Sequence, residues 1–466
     1  AVCEVYSIYP NNHRDTLISQ AYGAKNYRVV RVVLQRAIFI AICLCIPLCV
    51  VFIFCEPMYR MLTDEKEPRV AQFASLFTYL LLPGIIPFVL YRIFSSYMVC
   101  QNKVNYPMTI GVFANIINIL LNLLLVSGIG YKSLGFTGAA IGTSISRYSL
   151  LFMCFVALYI ISKKRVENSV SEVQTENDSF FSFEKIKSTF KEILQWRGMK
   201  EFISLAIPAV LMFVFEAWGF QANVLMAAKK GDKIQSAHYI VSQLTVLSFM
   251  IPLALSSATS VRVGQRLGGD DPSGARFVCY LGISSSVIVT VINGAIMIAL
   301  RSLVTYIFID DDFVKEEAEK IIPVAAVYVI TDGMQAVMSG ILRGLGRQRI
   351  GAVACFVSYY AIGIPSSLLL TFYFDWGLMG IWVGMAFGVT AVSLVMLPYI
   401  IFGIDWNLES VNAKKRIAAS DVIVSKVEED EGHEMLENVD EYFTRLEDEV
   451  TTPEQDEVQN VEEQEK

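Results

Sequence analysis

Ten stretches of the chain are almost continuously apolar: 33–54, 73–98, 106–127, 138–161, 202–228, 236–261, 275–299, 320–342, 350–373 and 377–402. A bilayer crossing takes about 20 predominantly apolar residues. None of these stretches carries the polar face, recurring every 3.6 residues, of a helix at a water-facing surface. The pattern predicts ten membrane-spanning helices and an all-α polytopic membrane protein.

Composition agrees with this reading. The 466 residues are 54% hydrophobic and 18% charged, too little charge to cover a soluble protein of that length. The formal net charge of −7 hides an asymmetry: residues 421–466 hold 18 acids and 3 bases, so this end carries −15 and the rest +8. The segment 404–466 is accordingly expected to be an acidic, disordered cytoplasmic tail. The nine cysteines show no metal-ligand spacing, and Cys43, Cys45 and Cys49 read as small apolar side chains of the first span. No metal and no cofactor is expected. The chain opens "AVCEVYSIYP", with no initiator Met and no signal peptide.

Basic residues sort by loop. Arg14, Lys25, Arg28 and Arg31 precede the first span, and Lys163, Lys164, Arg165, Lys185, Lys187, Lys191, Arg197 and Lys200 fill the loop after the fourth. Arg262, Arg266 and Arg276 follow the sixth, Arg343, Arg347 and Arg349 the eighth, and Lys414, Lys415 and Arg416 the tenth. Alternate loops are poorer in bases or rich in acids, notably "DDDFVKEEAEK" at 310–320. The excess of bases on cytoplasmic loops puts both chain ends and the 162–200 loop in the cytoplasm. Asn177, in the N-x-S match "NDS", then lies on the unglycosylated side.

The chain also repeats itself. "GFTGAAIG" (135–142) returns as "GLMGIWVG" (377–384), and "SQAYGAKNYRVVRV" (19–32) as "GQRLGGDDPSGARF" (264–277). The second match pairs Gln20 with Gln265 and Gly23 with Gly268, 245 positions apart. Six spans separate the two Gln-x-x-Gly segments, so the halves are parallel repeats about an axis along the membrane normal. This gives two pseudo-symmetric lobes, 1–161 and 201–403, joined by a cytoplasmic linker at 162–200. Two spans precede the motif in the second half and none in the first. Symmetry thus points to a parent of twelve helices, two of which would precede the sequence in hand.

These motifs resemble the multidrug and toxic compound extrusion (MATE) family, on its eukaryotic branch. The residues that carry the resemblance are "SQAYGAKNY", "NKVNYPMTIGVFANIINILLNLLLVSGIG", "LGFTGAAIGTSISRY", "SLAIPAVLMFVFEAWGF", "SSATSVRVGQRLGGDDPSGAR", "TDGMQAVMSGILRGLGRQRIGA" and "YYAIGIPSSL". They run in order from about 19 to 403. The resemblance implies a two-lobe exporter that exchanges protons or sodium for organic cations.

The candidate chemistry sits in two lone acids. Glu216 interrupts "AIPAVLMFVFEAWGFQANVLMAA", and Asp332 interrupts "VYVITDGMQAVMSGILRG". An ionisable side chain inside a membrane span is expensive and is by default a functional candidate. Hydrocarbon favours the neutral carboxyl, so such a group can change protonation between the two membrane faces. Phe220 and Asn223 share the Glu216 face at i+4 and i+7, and Pro208 can bend the helix two turns earlier. Tyr328, Gln335, Ser339 and Arg343 share the Asp332 face, a polar stripe that reads as a cavity wall. In the resemblance, Glu216 and Asp332 match the second-lobe acids that take protons and attract cationic substrate. Many animal members carry further acids where this chain has Gln221 and Gln243. Amides do not titrate, so Gln243 is expected to orient substrate or to bond neighbouring helices.

Other polar and aromatic positions are cavity candidates with plainer uses beside them. Asn115, Asn118 and Asn122 share one face of the third span, for interhelical hydrogen bonding or for cavity lining. Tyr359, Tyr360 and Trp218 could present ring faces to an organic cation or simply pack. Arg147 needs an acceptor inside the membrane. "GILRGLGRQ" follows no strand and lacks the Lys-Ser/Thr of a phosphate cradle, and no catalytic constellation is present, so the protein is not expected to be an enzyme.

The expected function is antiport of small organic cations against protons, favoured over sodium, by a monomer in the plasma membrane or an acidic organelle membrane, with no nucleic-acid partner. Two alternatives stand beside it. One is a non-transporting truncated membrane protein that binds a partner through its acidic tail. The other is a flippase for lipid-linked substrates on a related fold, which would need a basic cavity.

Overall fold

The computed structural model describes residues 11–57, 68–128, 133–168, 196–308 and 311–428. The opening decapeptide, Asn177 and the tail beyond 428 lie outside the described residues. Among the described residues, ten helices are long and apolar enough to cross a membrane, one for each expected stretch. All but the last, Gly377–Phe402, run past their apolar stretch at one or both ends, because helix geometry continues into polar residues that the hydropathy pattern does not count.

In the first half the order is α1 (Asn11–Gly23), α2 (Tyr27–Ile53), α3 (Pro68–Leu81), a 3₁₀ turn (Leu82–Gly84), α4 (Ile85–Cys100), α5 (Asn105–Ser127) and α6 (Gly135–Asn168). α3, the turn and α4 together make one span, Gln72–Cys100. The second half holds α7 (Trp196–Lys229), α8 (Asp232–Gly268), α9 (Pro272–Ala299), α10 (Arg301–Phe308) and α11 (Asp312–Leu345). It continues with α12 (Gln348–Phe356) and α13 (Ile364–Leu368), each followed by a π-helical stretch, Val357–Gly363 and Leu369–Tyr373. The last span is α14 (Gly377–Phe402), and α15 (Trp406–Glu428) follows it.

Local chemistry sets several of these ends. Asp271 caps α9 by accepting from the Gly274 N–H at 2.7 Å, with Pro272 in the first turn. Asp311 caps α11 through the Phe313 and Val314 N–H groups at 3.0 and 3.2 Å. Gly346, at φ +77°, closes the other end of α11 in the left-handed conformation that a side chain would resist.

Two apolar cores form. One joins residues of α1, α2, α4, α5 and α6; the other joins α7, α8, α9, α11, α12 and α14. Helix α11 is the axis of the second lobe, packed against α8, α9 and α14. Its residues 335–342 are buried without a break, on every side of the helix. Gly340 and Gly344 lie against the backbone of Ser256 and Ser260 on α8, a small-residue crossing that brings the two helices together. Helix α5, by contrast, turns Val112, Phe113, Ile116, Ile119, Leu120, Leu123 and Leu124 outward, as a lipid-facing helix does.

One expectation is corrected. Residues 404–466 read as a disordered tail, yet Trp406–Glu428 form α15. Asp405 caps its start, accepting from the Asn407 and Leu408 N–H groups at 3.0 and 3.1 Å. Trp406, Ser410, Ala413, Ile417 and Ser420 are buried along one face. The acids crowded beyond 428 dominated the composition of the whole segment and masked this amphipathic helix inside it. The 162–200 linker is likewise shorter than expected, since α6 runs to Asn168 and α7 begins at Trp196.

The ends of the described helices gather on two faces. The ends of α1, α4, α8 and α11 converge with α15 on one face, joined by contacts among Gln20, Cys100, Gln265, Gly344 and Arg416. The opposite face carries the pairs Lys230–Asp375 at 2.6 Å and Lys233–Asp311 at 2.9 Å.

Candidate functional site

Glu216 of α7 and Asp332 of α11 belong to one cluster inside the second lobe, since Gln335, one turn along α11 from Asp332, reaches Glu216. Gln335 of α11 holds Glu216, donating from Nε2 to Oε2 at 3.1 Å. Tyr359, at the π-helical break of the ninth span, donates its hydroxyl to Gln335 Oε1 at 3.2 Å. The Gln335 amide is therefore read at both ends, which fixes the orientation of its nitrogen towards the carboxylate. A π-turn adds a residue to the helical repeat and re-aims the side chains that follow. Here it turns Tyr359 inward, against Gly219 of α7: a Cβ on Gly219 would meet the Tyr359 ring at 3.1 Å.

Asp332 is 6% exposed, and its Oδ1 is buried without a hydrogen-bond partner among the described residues. Tyr328 lies beside it one turn earlier. A buried carboxyl oxygen left open in this way is where a proton, a water or a cation can be accommodated. Arg343, three turns further along α11, donates to Ser256 Oγ at 2.8 Å, and the Ser256 hydroxyl in turn donates a hydrogen bond to the Ala336 carbonyl.

The expected residues separate cleanly. Tyr328, Gln335 and Tyr359 are buried at the acids, and Ser339 follows on the same helix. Asn223 is buried but spends its amide on the Gly219 carbonyl of its own helix at 3.0 Å, leaving Oδ1 open. Phe220 is half-buried and packs against His238 and Trp382. Gln243 is exposed on α8, outside this network, and Asn115 is exposed on α5. Asn118 is half-buried and accepts from Asn122 within α5 at 3.2 Å, a bond inside one helix rather than between two. Trp218 points outward at 62% exposure. Tyr360 stacks on Phe356 at 5.3 Å. Arg147 lies over the Phe88 ring at 5.1 Å.

Sequence reasoning missed an aromatic layer beside the acids. His238 of α8 is 1% exposed, with its ring 5.5 Å from Trp382, and Trp382 meets Tyr328 edge-on at 5.7 Å. No spacing rule links residues from three separate helices, so no local signal could have grouped them.

Charged groups outside the membrane hold α15 in place. Lys414 pairs with Asp270 at 2.8 Å and Ser410 donates to the same carboxylate at 3.0 Å, and these contacts hold the Asp270 carboxyl below its usual range. Arg347 grips Glu409 through Nε at 2.8 Å, which pushes the guanidinium further towards its charged form.

Comparison with known proteins matches the MatE family model to residues 14–124 and 208–369. Multidrug and toxin extrusion protein 1 of Xenopus tropicalis is 28% identical over 414 residues, covering 89% of this chain and 68% of its own length. The Homo sapiens protein of that name is 29% identical over 393 residues, 84% of this chain and 64% of its length. Protein DETOXIFICATION 16 of Arabidopsis thaliana is 30% identical over 411 residues, 87% of this chain and 79% of its length. The chain thus spans roughly two thirds of its animal relatives. The crystal structure of the eukaryotic MATE transporter AtDTX14 superposes with a TM-score of 0.76 at 26% identity, over 89% of this chain and 88% of that one. A MATE structure in the straight conformation shares the fold at a TM-score of 0.68 and 15% identity, over 90% and 86% of the two chains. With ten helices of membrane-crossing length and hydropathy among the described residues and a family match across both lobes, the chain belongs to the MatE family, on the eukaryotic branch of these multi-pass membrane transporters.

Proposed function

We infer that the protein is an exporter of small organic cations driven by proton exchange, with Glu216 and Asp332 as the exchanging groups. The observation that carries this reading is the held carboxylate: Gln335 fixes Glu216 across the lobe while Asp332 beside it keeps an open oxygen. The names of the relatives, multidrug and toxin extrusion proteins, support the same class of cargo.

The cycle follows from charge balance. An organic cation resting against the two carboxylates loses its counter-charge when a proton enters from the outer face. Rocking of the lobes then presents the protonated site to the cytoplasm, where proton release restores affinity for the next cation. One pH unit of gradient supplies about 1.4 kcal/mol per proton, enough for about tenfold accumulation. A bound species can drive the rocking only through its different affinity for the two states, and here that difference resides in the carboxyl pair. The positive-inside rule assigns the face of α15 and the basic loops to the cytoplasm.

The test is uptake of a fluorescent organic cation into proteoliposomes under an imposed pH gradient. Glu216→Gln keeps the shape and abolishes gradient-driven uptake; Asp332→Asn lowers it by at least about tenfold. Native-like uptake by Glu216→Gln overturns the reading.

A further inference from the structure

The two Gln-x-x-Gly segments that disclose the internal repeat meet in space. Helix α1 of the first lobe packs along the end of α8 in the second. Gly23 lies against the backbone of Gln265 and Gly268 against the backbone of Gln20, and a Cβ at either glycine would come within 3 Å of that backbone. Each motif supplies the glycine that admits the other motif's glutamine.

The glutamine side chains then cross. Gln20 of the first lobe donates from Nε2 to the Gly344 carbonyl of the second, at 3.0 Å. Gln265 of the second lobe donates from Nε2 to the Cys100 carbonyl of the first, at 2.7 Å. Both acceptors lie at the C-terminal ends of helices, α11 and α4, where carbonyls lack a partner within the helix. They are also repeat-equivalent: adding the 245-residue offset to Cys100 reaches Leu345, the neighbour of Gly344. The same bond is therefore made twice, once in each direction across the seam.

Further groups brace this arrangement. Arg416 of α15 donates from Nη1 to Gln20 Oε1 at 3.0 Å and from Nη2 to the Leu345 carbonyl at 3.0 Å. Thr16 donates to the Arg343 carbonyl at 2.6 Å and accepts from Gln348 Nε2 at 3.1 Å. Val261 of α8 is buried within the apolar core of the first lobe. The lobes thus touch chiefly at this one face, through α1 and α15.

We propose that Gln20 and Gln265 form a reciprocal lock that holds the lobes together at the basic face and must break for the transporter to open there. The chemistry suits a reversible catch. When the lobes part, each carbonyl and each amide exchanges its partner for water at the membrane surface, so the net weight of each bond is small. Deeper in the bilayer the same groups would be stranded, and the catch could not release. The two halves of the lock are not equally wet. A cavity of about 360 Å³ borders Gln265 and Gly23, lined also by Tyr22, Lys25, Tyr27 and Arg266. Gln20 is fully buried and held at both ends of its amide. Removing Gln20 therefore has the larger effect on opening.

This inference rests on the exporter reading only for its meaning in the cycle, and its test does not need transport. Val261→Cys, in a background with the native cysteines replaced by serine or alanine, places a thiol inside the seam. Its reaction with a membrane-impermeant maleimide is followed from each side of oriented vesicles. Gln20→Ala with Gln265→Ala raises the labelling rate from the basic face by about tenfold and leaves the other face within about twofold. Gln20→Ala alone accounts for the larger share. Arg416→Ala, which removes the brace on Gln20 and Leu345, raises the same rate by about threefold, while Arg416→Lys lies between it and the native chain. An unchanged rate from the basic face overturns the lock, as does an equal rise from both faces, which would mean general loosening. Efflux KM measured on the same variants bears on the exporter reading separately, so the two ideas fail by different readouts.

Discussion

Gln335 of α11 and Glu216 of α7, 119 residues apart, share one hydrogen bond of 3.1 Å that joins the two acid-bearing helices of the second lobe. Gln335 is fully buried and also accepts from Tyr359, so the carboxylate sits against a donor that cannot turn away.

Gln335→Ala removes that donor and leaves a buried carboxylate oxygen unpaired. Loss of a hydrogen bond to a charged group costs about 1.5–3 kcal/mol. Cation uptake is therefore expected to fall by about tenfold or more at the pH where the native protein works best, and its pH profile to move. Initial uptake rates at several external pH values measure both.

Tyr359→Phe keeps the ring against Gly219 and deletes only the hydroxyl. The bond lost is neutral, worth about 1 kcal/mol, so uptake should fall by roughly fivefold with folded yield unchanged. Gly219→Leu forces a side chain onto the same ring and is expected to do more damage. Thermal unfolding in detergent alongside uptake separates the two effects.

Gly380 and Gly384 of "GLMGIWVG" are contact points between the last two spans. A Cβ on Gly384 would fall within 3 Å of the Ser367 backbone, and one on Gly380 within 3 Å of the Leu370 backbone. Overpacking of this kind costs about 1–3 kcal/mol. Gly384→Ala is expected to lower the melting temperature and the monodisperse yield, whereas Gly111→Ala, with open space around it, leaves both unchanged.

Helix α15 is expected to stay docked across the physiological pH range. Asp270 is held below its usual range by Lys414 and Ser410, so its contribution is fully present above the ordinary carboxylate value of 3.8 and is lost only as pH falls through its lower folded value. Proteolysis of the segment near Lys414 and Lys415 should therefore be equally slow at pH 5 and pH 8, with Asp270→Asn faster at both. Faster cleavage of the native chain at pH 5 would contradict this anchoring.

Much of the candidate site's layout was legible along the chain. Tyr328, Asp332, Gln335 and Ser339 fall on one stripe of α11 by simple helical spacing, and all four are buried. The lone charge of Glu216 marked its position because the surrounding residues are apolar. The partnership of Gln335 with Glu216 was not legible, since it depends on how far α7 and α11 are rotated towards each other. Asn118 and Asn122 show the reverse case: they share a face, but the Asn122 amide donates to Asn118 within α5 rather than to another helix. The buried face of α15 has a helical period too, at 406, 410, 413, 417 and 420, yet it lay beside a run of acids that dominated the composition.

The sequence by itself determined the ten apolar helices, the clustering of bases in alternate loops, the internal repeat and the two lone acids within apolar stretches. Each of these rests on local quantities, namely hydropathy, charge and spacing. Tertiary structure alone decided which glutamine does what: Gln335 is buried against Glu216, Gln243 is exposed, and Gln20 and Gln265 reach across the seam between lobes. The reason is physical. A helix apolar on every side has no polar face to fix its rotation, so the side that meets a neighbour is set by how small residues let the backbones approach.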